Sequence, residues 1–563
     1  MKKILFHSNG AKAFTGFGKN AKNILRYLYK TKKYDIIEFA NGTTWGHPEM
    51  AKRPWKAEGS LPNNQAVIQQ IQGNPEAQRE AGYGGFMIDK AISEFKPDVY
   101  LGVEDIWGMN GYWKKPWWNK INSMIWTTLD SLPILPTAVE AAPDCKNFYV
   151  WASFAEKEMA RLGHSHVKTL PGAVDTSTFF RFSDNERKLL RARHNLSDEF
   201  IIGFVFRNQL RKSVPNLLDG FKLFKEQNPN TKVKLLLHTH WSEGWDIPRL
   251  LKEKNINHND ILTTYFCSQC KNYEVRPFTG EKQNCSICGS KQSVSTTNVT
   301  HGVDEEQLNE VYNLMDVYCH PFTSGGMEIP IYEAKLTGLP TLVTNYSCGE
   351  DSCTPESGGF ALDWAEYREP GTQFIKASTD PKSIAKQLKA VYKLDENKLK
   401  LIGDRARDFT IKNYSIEAIG KKLETILDAM PDINWDYDFV DKNTAPKNLE
   451  DFLDPGKRIA IVIPQTDIDV LMVNSMIDNL KSQYPEHDIY MFVEDRFASY
   501  AEDHPSVHKV LPYKPELENI LFLEGRFEHK GYFDCAFLPH LGTQRIHNYQ
   551  HNGKDKTEFE LYS

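Results

Sequence analysis

Short apolar runs alternate with segments whose apolar residues recur at helical spacing over the first 175 or so residues. The runs at 3–7, 35–39, 98–102, 124–128 and 147–151 predict strands. Among the helices between them, 19–31 is the clearest, because Ala21, Ile24, Leu25 and Leu28 fall on one face. Such alternation predicts a mostly parallel sheet covered by helices on both faces. A second series starts near Asp198, with strands at 201–206, 233–238, 317–320 and 341–344, and an amphipathic helix at 416–430 closes it. A polar, cysteine-bearing segment at about 265–297 interrupts this series. The stretch 431–456, acidic with Asn and Pro, reads as a linker. A third unit opens at Arg458 and alternates again: strand, helix 470–483, strand 489–493. The predicted class is α/β, with domains at 1–175, 176–430 and 457–563.

The segment 320–344 carries the densest chemistry. An apolar strand runs into the turn Thr323-Ser324-Gly325-Gly326, and a helix follows with one acidic residue, Glu333, before Gly338-Leu339-Pro340 ends it. Adjacent glycines let backbone approach a ligand, and the helix start points free N–H groups and partial positive charge at it. An anionic group such as a diphosphate suits that arrangement. The plain alternative is an ordinary strand–helix crossover with a glycine turn. In tandem doubly wound domains, ligands bind outside the carboxyl ends of the strands. The loops to inspect are therefore 9–18, 103–118, 128–136, 207–212 and 323–328.

Composition changes this picture little. The 563 residues carry a net charge of −6, which argues against a broad grip on nucleic acid. No apolar run is long enough to span a membrane. The start, Met1 to Gly10, reads as a first strand and not a signal peptide. The nine cysteines are read as reduced or metal-bound, and a cytoplasmic location is expected.

With those loops placed, residues 1–430 resemble the retaining nucleotide-sugar glycosyltransferases of GT-B fold, two Rossmann-like domains facing a cleft, a family that includes glycogen synthase and many mannosyltransferases. Arg207, Lys212 and the pair Leu217-Leu218 are similar to its Arg-x4-Lys-Gly-x3-Leu-Leu pattern. Pro171-Gly172-Ala173-Val174-Asp175, with Phe179, is similar to its interdomain junction. Gly302-Val303-Asp304 precedes a helix, as the family's base-contacting loop does. The resemblance implies that Arg207 and Lys212 hold the donor diphosphate, where cations stabilise the departing phosphate. It implies that Glu333 accepts hydrogen bonds from ribose hydroxyls. Gly16 and Gly18, Val303, Ser324, Gly325 and Gly326 would line the donor site. Solvated surface charge is the plain reading of Arg207 and Lys212 taken alone.

Two departures stand out. The family's paired acids, Glu-x7-Glu, put Gly325 where the first carboxylate belongs, and Glu328 either substitutes for it or serves as a helix-start charge. The family's His-Asp after a mid-domain strand stands here as Leu129-Asp130, so no histidine carries over. Glu104, Asp105 and Asp130 end strands facing the crevice and are candidates to orient an acceptor hydroxyl, or simply to hydrogen-bond nearby backbone.

Cys267, Cys270, Cys285 and Cys288 form C-x2-C-x14-C-x2-C, the spacing of a closed four-thiolate site for structural zinc. The knuckles resemble zinc ribbons, with Gly289 after the last ligand. Lys271, Arg276, Lys282 and Lys291 add positive charge, although a passive surface staple explains the insert as well.

The acceptor is less legible. Trp107, Tyr112, Trp113, Trp117 and Trp118 crowd one strand-end loop with Lys114 and Lys115; they read equally as a sugar- or base-stacking surface and as core. The stretch 41–85 reads as a long substrate loop. The third unit looks like the first half of heptosyltransferase-like enzymes, hence an accessory domain. The expectation is transfer of a sugar, with retention, from a nucleotide-diphosphate sugar to a saccharide or a hydroxymethylated DNA base. The alternatives are a GT-B-fold epimerase or phosphorylase and a non-catalytic binding scaffold. Oligomeric state stays open.

Overall fold

The computed structural model describes residues 1–563 apart from 110, 299–300, 436–448, 464–466, 503, 526–530 and 540–563. The chain forms two compact units, Met1–Phe439 and Val440–Ser563.

The first unit holds one parallel and one mostly parallel sheet. In chain order, the first contains β1 (Lys2–Asn9), β2 (Tyr34–Thr44), β3 (Lys56–Leu61), β4 (Val99–Val103), β5 (Asn122–Thr127), β6 (Asn147–Val150) and β7 (Lys168–Thr169). They are ordered β3-β2-β1-β4-β5-β6-β7. The chain reverses direction across the sheet at β1, flanked by β2 and β4, and a crevice opens there. Helix Gly16–Thr31 follows β1; Thr15 caps it by accepting the Gly18 N–H at 3.0 Å. A Cβ on Gly18 would stand 2.3 Å from the Ala13 carbonyl oxygen, so the turn admits only glycine.

The second sheet contains β8 (Phe200–Val205), β9 (Val233–His238), β10 (Ile261–Cys267), β11 (Tyr273–Pro277), β12 (Val294–Thr296), β13 (Val317–His320), β14 (Thr341–Thr344) and β15 (Gly359–Leu362). Its path is β11-β10-β9-β8-β13-β14-β15, and here β8 is the switch point. β11 and β12 pair antiparallel with β10 and belong to the cysteine-bearing insert. A hairpin, β16 (Trp364–Arg368) with β17 (Ile375–Thr379), stands apart from both sheets.

Helix Ile416–Ala429 closes the second series but packs on the first. Gly420 lies flat against the Tyr27 ring, where a Cβ would be 2.5 Å from it. Tyr27 donates to Glu424 at 2.5 Å and Tyr34 to Asp428 at 2.6 Å.

The stretch 41–85 is not a loop. It contains the end of β2, all of β3, and helices Gln65–Ile71 and Pro75–Gly82. β3 is an edge strand of sequence KAEGSL; ladder bonds to β2 fix it, so it needs no apolar run.

The second unit is a four-stranded parallel sheet, β18 (Lys457–Ile463), β19 (His487–Val493), β20 (Lys509–Pro512) and β21 (Cys535–Phe537), ordered β20-β19-β18-β21. Helix Asp467–Gln483 presents Val470, Val473 and Ile477 to one side of its core. Half of the expected linker 431–456, residues 436–448, lies outside the described residues.

Candidate functional site

At the carboxyl ends of the first unit's strands lies a cleft of about 650 Å³. Residues from both halves line it: Gly16 and Lys19 from the first, and Arg207, Arg211, Lys212, Val303, Glu328 and Glu333 from the second.

A buried ion cluster forms its floor. Glu328, 3% exposed, receives Lys212 Nζ on one carboxylate oxygen and Arg211 Nη1 on the other. His320 Nε2 also reaches it, at 3.1 Å. Burial alone would raise the Glu328 carboxyl; the charges of Arg211 and Lys212 outweigh it and hold the group well below the usual carboxylate range. Burial, aided by the Arg211 charge, brings Lys212 down to about 8. Arg207 is different: it is exposed and its guanidinium pairs with Glu243 at 2.7 Å. Sequence reasoning missed Arg211, because the family pattern marks only Arg207 and Lys212; an adjacent second cation was the available signal.

The space at Gly325 explains the missing acid there. A Cβ on Gly325 would lie 2.7 Å from Glu328 Oε1, so the Glu328 carboxylate occupies the room a side chain at 325 would need. The Gly325 N–H donates to Ser347 Oγ at 3.1 Å.

Glu333, 2% exposed, accepts from Lys19 Nζ at 2.7 Å and from the Tyr312 hydroxyl at 2.8 Å. Lys19 comes from helix Gly16–Thr31, so this pair crosses the cleft, as does Lys22 with Glu305 at 2.5 Å. Gly16 faces the start of helix Ile329–Leu336, with 3.5 Å between its Cβ position and Ile329 Cδ1.

The first half also brings acidic residues against the glycine turn. A Cβ on Gly326 would meet Thr128 Cβ at 2.3 Å and Asp130 Oδ1 at 2.8 Å. Thr128 in turn donates to Asp105 Oδ1 at 2.9 Å. Glu104 is buried behind them, accepting from Asn9 Nδ2 and, at 3.1 Å, from Asn41 Nδ2. Burial and the neighbouring Asp105 push Glu104 up to about 7; burial and Asp130 push Asp105 up to about 6. A cation that the sequence did not flag meets this group: Lys376, on β17, donates to Ser131 Oγ at 2.9 Å and Ser324 Oγ at 2.8 Å. Gly326→Ala is expected to cost about 1–3 kcal/mol, since the methyl has nowhere to go unless the two halves part. An unchanged urea midpoint would show that these loops separate freely.

The aromatic loop divides. Trp107 is 40% exposed and meets the Tyr83 ring edge-on at 4.9 Å. Tyr112 and Trp113 are buried, and so are Trp117 and Trp118. The expectation that Tyr112 and Trp113 contact an acceptor is therefore corrected. Tyr112 donates to the Tyr83 carbonyl at 2.9 Å, and these rings fill the space beneath β4 around Tyr100.

The four cysteine sulfurs lie within 4.8 Å of one another, with Cys267 to Cys288 at 3.8 Å and Cys270 to Cys285 at 3.7 Å. Thiolates tetrahedrally placed about 2.3 Å from zinc are about 3.8 Å apart, so the geometry is compatible with that ion.

No protein-family model and no curated protein matches this chain. Solved structures do. Sucrose-phosphate synthase from Thermosynechococcus elongatus aligns with a TM-score of 0.53 at 15% identity, covering 76% of this chain and 98% of that one. HepE from Anabaena, in complex with UDP-glucose, aligns with a TM-score of 0.52 at 12% identity, over 76% of this chain and 100% of that one. A glycosyltransferase from Rickettsia africae gives 0.51 at 14%, over 76% and 98%. At such identities the likeness is one of fold: two Rossmann-like halves about a cleft, the GT-B architecture.

Proposed function

We propose that this GT-B-fold chain is a glycosyltransferase that moves a sugar from a nucleotide-diphosphate sugar to an acceptor hydroxyl with retention of configuration. The observation that carries the reading is the Arg211–Lys212 pair, Lys212 buried and Arg211 half-buried, pre-positioned by Glu328 beside the glycine turn. Negative charge develops on the diphosphate as the glycosidic bond breaks, and fixed cations in a water-poor site stabilise it without reorganising. Glu333 already accepts two donors, and a carboxylate has about four lone-pair sites, so ribose hydroxyls can join or replace Lys19 there. Glu328 supplies the charge that Gly325 lacks.

The acceptor hydroxyl would enter beside Asp105 and Asp130, on the face the sugar leaves, with the departing phosphate helping to take its proton. The raised Asp105 carboxyl suits hydrogen bonding to a neutral hydroxyl. The negative charge that Glu104, Asp105 and Asp130 carry when ionised disfavours a DNA phosphate backbone, so a saccharide is the preferred acceptor. The four cysteines would hold one structural zinc ion.

The test is a panel of nucleotide sugars with oligosaccharide or hydroxymethylated DNA, reading nucleotide release and the anomeric configuration of the product. Lys212→Ala is expected to lower release about 10²–10³-fold. No release from any donor, together with no nucleotide-induced thermal shift, would refute the enzyme. Transfer to DNA alone would reverse the acceptor preference.

A further inference from the structure

The cysteine insert is part of the cleft wall. Its first sulfur ligand, Cys267, ends β10; Phe266 beside it, Lys271 in the first knuckle and His301 all line the cleft. The two knuckles are built alike. The Lys271 N–H donates to the Cys267 carbonyl at 3.0 Å, and the Gly289 N–H to the Cys285 carbonyl at 3.0 Å. Both residues adopt a left-handed φ, 61° for Lys271 and 70° for Gly289. Glycine takes that conformation freely, whereas a Cβ meets a steric penalty there. The knuckle away from the cleft has the glycine. The knuckle on the cleft has a lysine instead.

The surroundings give that lysine a use. Its Nζ lies 5.8 Å from the Phe266 ring centre. Phe266 and His301 meet edge-on at 5.1 Å, and His301 Nε2 is 3.3 Å from the Phe266 carbonyl oxygen. Gln307 Nε2 donates to the Lys271 carbonyl at 2.8 Å, and Gln307 completes the capping box of helix Glu305–Asn313. The insert is thus tied to a helix start that also borders the cleft.

A nucleoside diphosphate has one anionic end and one flat aromatic end. Arg211 and Lys212 suit the first; the Phe266–His301 wall suits the second. We propose that the four-cysteine insert is the base-reading wall of this cleft, with Lys271 selecting a nucleobase that presents a carbonyl, not an amino group, at C4 of a pyrimidine or C6 of a purine. The inference rests on the nucleotide-sugar reading and deepens it. An ammonium offers three donors and no acceptor, so it bonds O4 of uracil or O6 of guanine and has nothing for the amino group that cytosine carries at C4 or adenine at C6.

Calorimetric Kd values for UDP, GDP, CDP and ADP on the full chain test this. Wild type is expected to bind UDP or GDP most tightly. Lys271→Ala should weaken that ligand about tenfold and leave CDP and ADP nearly unchanged, so the ranking collapses. Lys271→Arg should restore it, because a guanidinium also only donates. Stripping the metal should collapse the ranking in the same way. Lys271 is a surface residue, so its variants decide the matter even if metal-stripped protein unfolds. An unchanged ranking in Lys271→Ala, or a wild type that prefers CDP or ADP, overturns the inference. A wild type that binds none of the four removes the nucleotide reading itself.

Discussion

Glu328→Ala is expected to lower the unfolding free energy by about 3–5 kcal/mol and to abolish most turnover with it. The substitution leaves Lys212, 3% exposed, facing Arg211 without the carboxylate that separates them. His320, buried and held down to about 4, stays a neutral imidazole and brings no negative charge in place of the lost anion. Lys212, already brought down to about 8, would then shed its proton more readily, and a neutral amine no longer stabilises a departing phosphate. Urea unfolding near pH 7.5 measures the stability loss. Arg207→Ala is the reference: its pair with Glu243 is half exposed and should be worth no more than about 1 kcal/mol. A similarly small loss for Glu328→Ala would mean that this carboxylate does not hold the cations.

The pH dependence has a definite sign. The folded Glu328 carboxyl lies well below its unfolded value, so the folded state binds fewer protons. Its contribution is complete above the unfolded value of about 4.3 and is lost as pH falls through the folded one. The advantage of wild type over Glu328→Gln should therefore persist at neutral pH and shrink only in strong acid.

The second large effect concerns the insert. Metal-replete protein is expected to carry one zinc ion per chain, and Cys285→Ser to lose it and expose the segment 268–293 to protease. The apolar core of this region consists of Tyr265, Cys267, Cys285 and Val294, with Cys270 and Phe278 at its edge. Two of the four buried members belong to the cysteine cluster itself, and Tyr273 and Val275 tie the segment to the main core only at β11, which leaves little apolar surface to order the knuckles unaided. Structural zinc sites bind with about 10–16 kcal/mol at neutral pH, enough to dominate a core of that size. Wild type with less than about a tenth of an ion per chain, or Cys285→Ser with unaltered protease resistance, would contradict this.

Much of the fold was legible because its signals are local. The strands predicted at 233–238, 317–320 and 341–344 coincide with β9, β13 and β14. Fully buried parallel strands are continuous apolar runs, which need no partner to be recognised. β3 was missed for the opposite reason: at the sheet edge its backbone pairing, and not its side chains, defines it. The aromatic loop was read as open to either role, since a tryptophan at a strand end looks the same in sequence whether it meets solvent or Tyr100. Packing put Tyr112 and Trp113 inside and left Trp107 partly outside.

The candidate site shows the same division more sharply. Sequence by itself determined the α/β alternation, the glycine turn at Gly325 and Gly326, the acidic residue Glu333 and the paired cysteines, because each depends on short spacing and residue chemistry. Only the tertiary structure decided which charges meet. Lys212 and Glu328 are 116 residues apart in the chain, and Lys376 and Ser131 are 245 apart. It also decided that Glu328 fills the space beside Gly325 and that Lys271 stands on the cleft wall. Such contacts arise where two sheets and an insert pack together, and a pairing set by long-range packing leaves no period or motif along the chain.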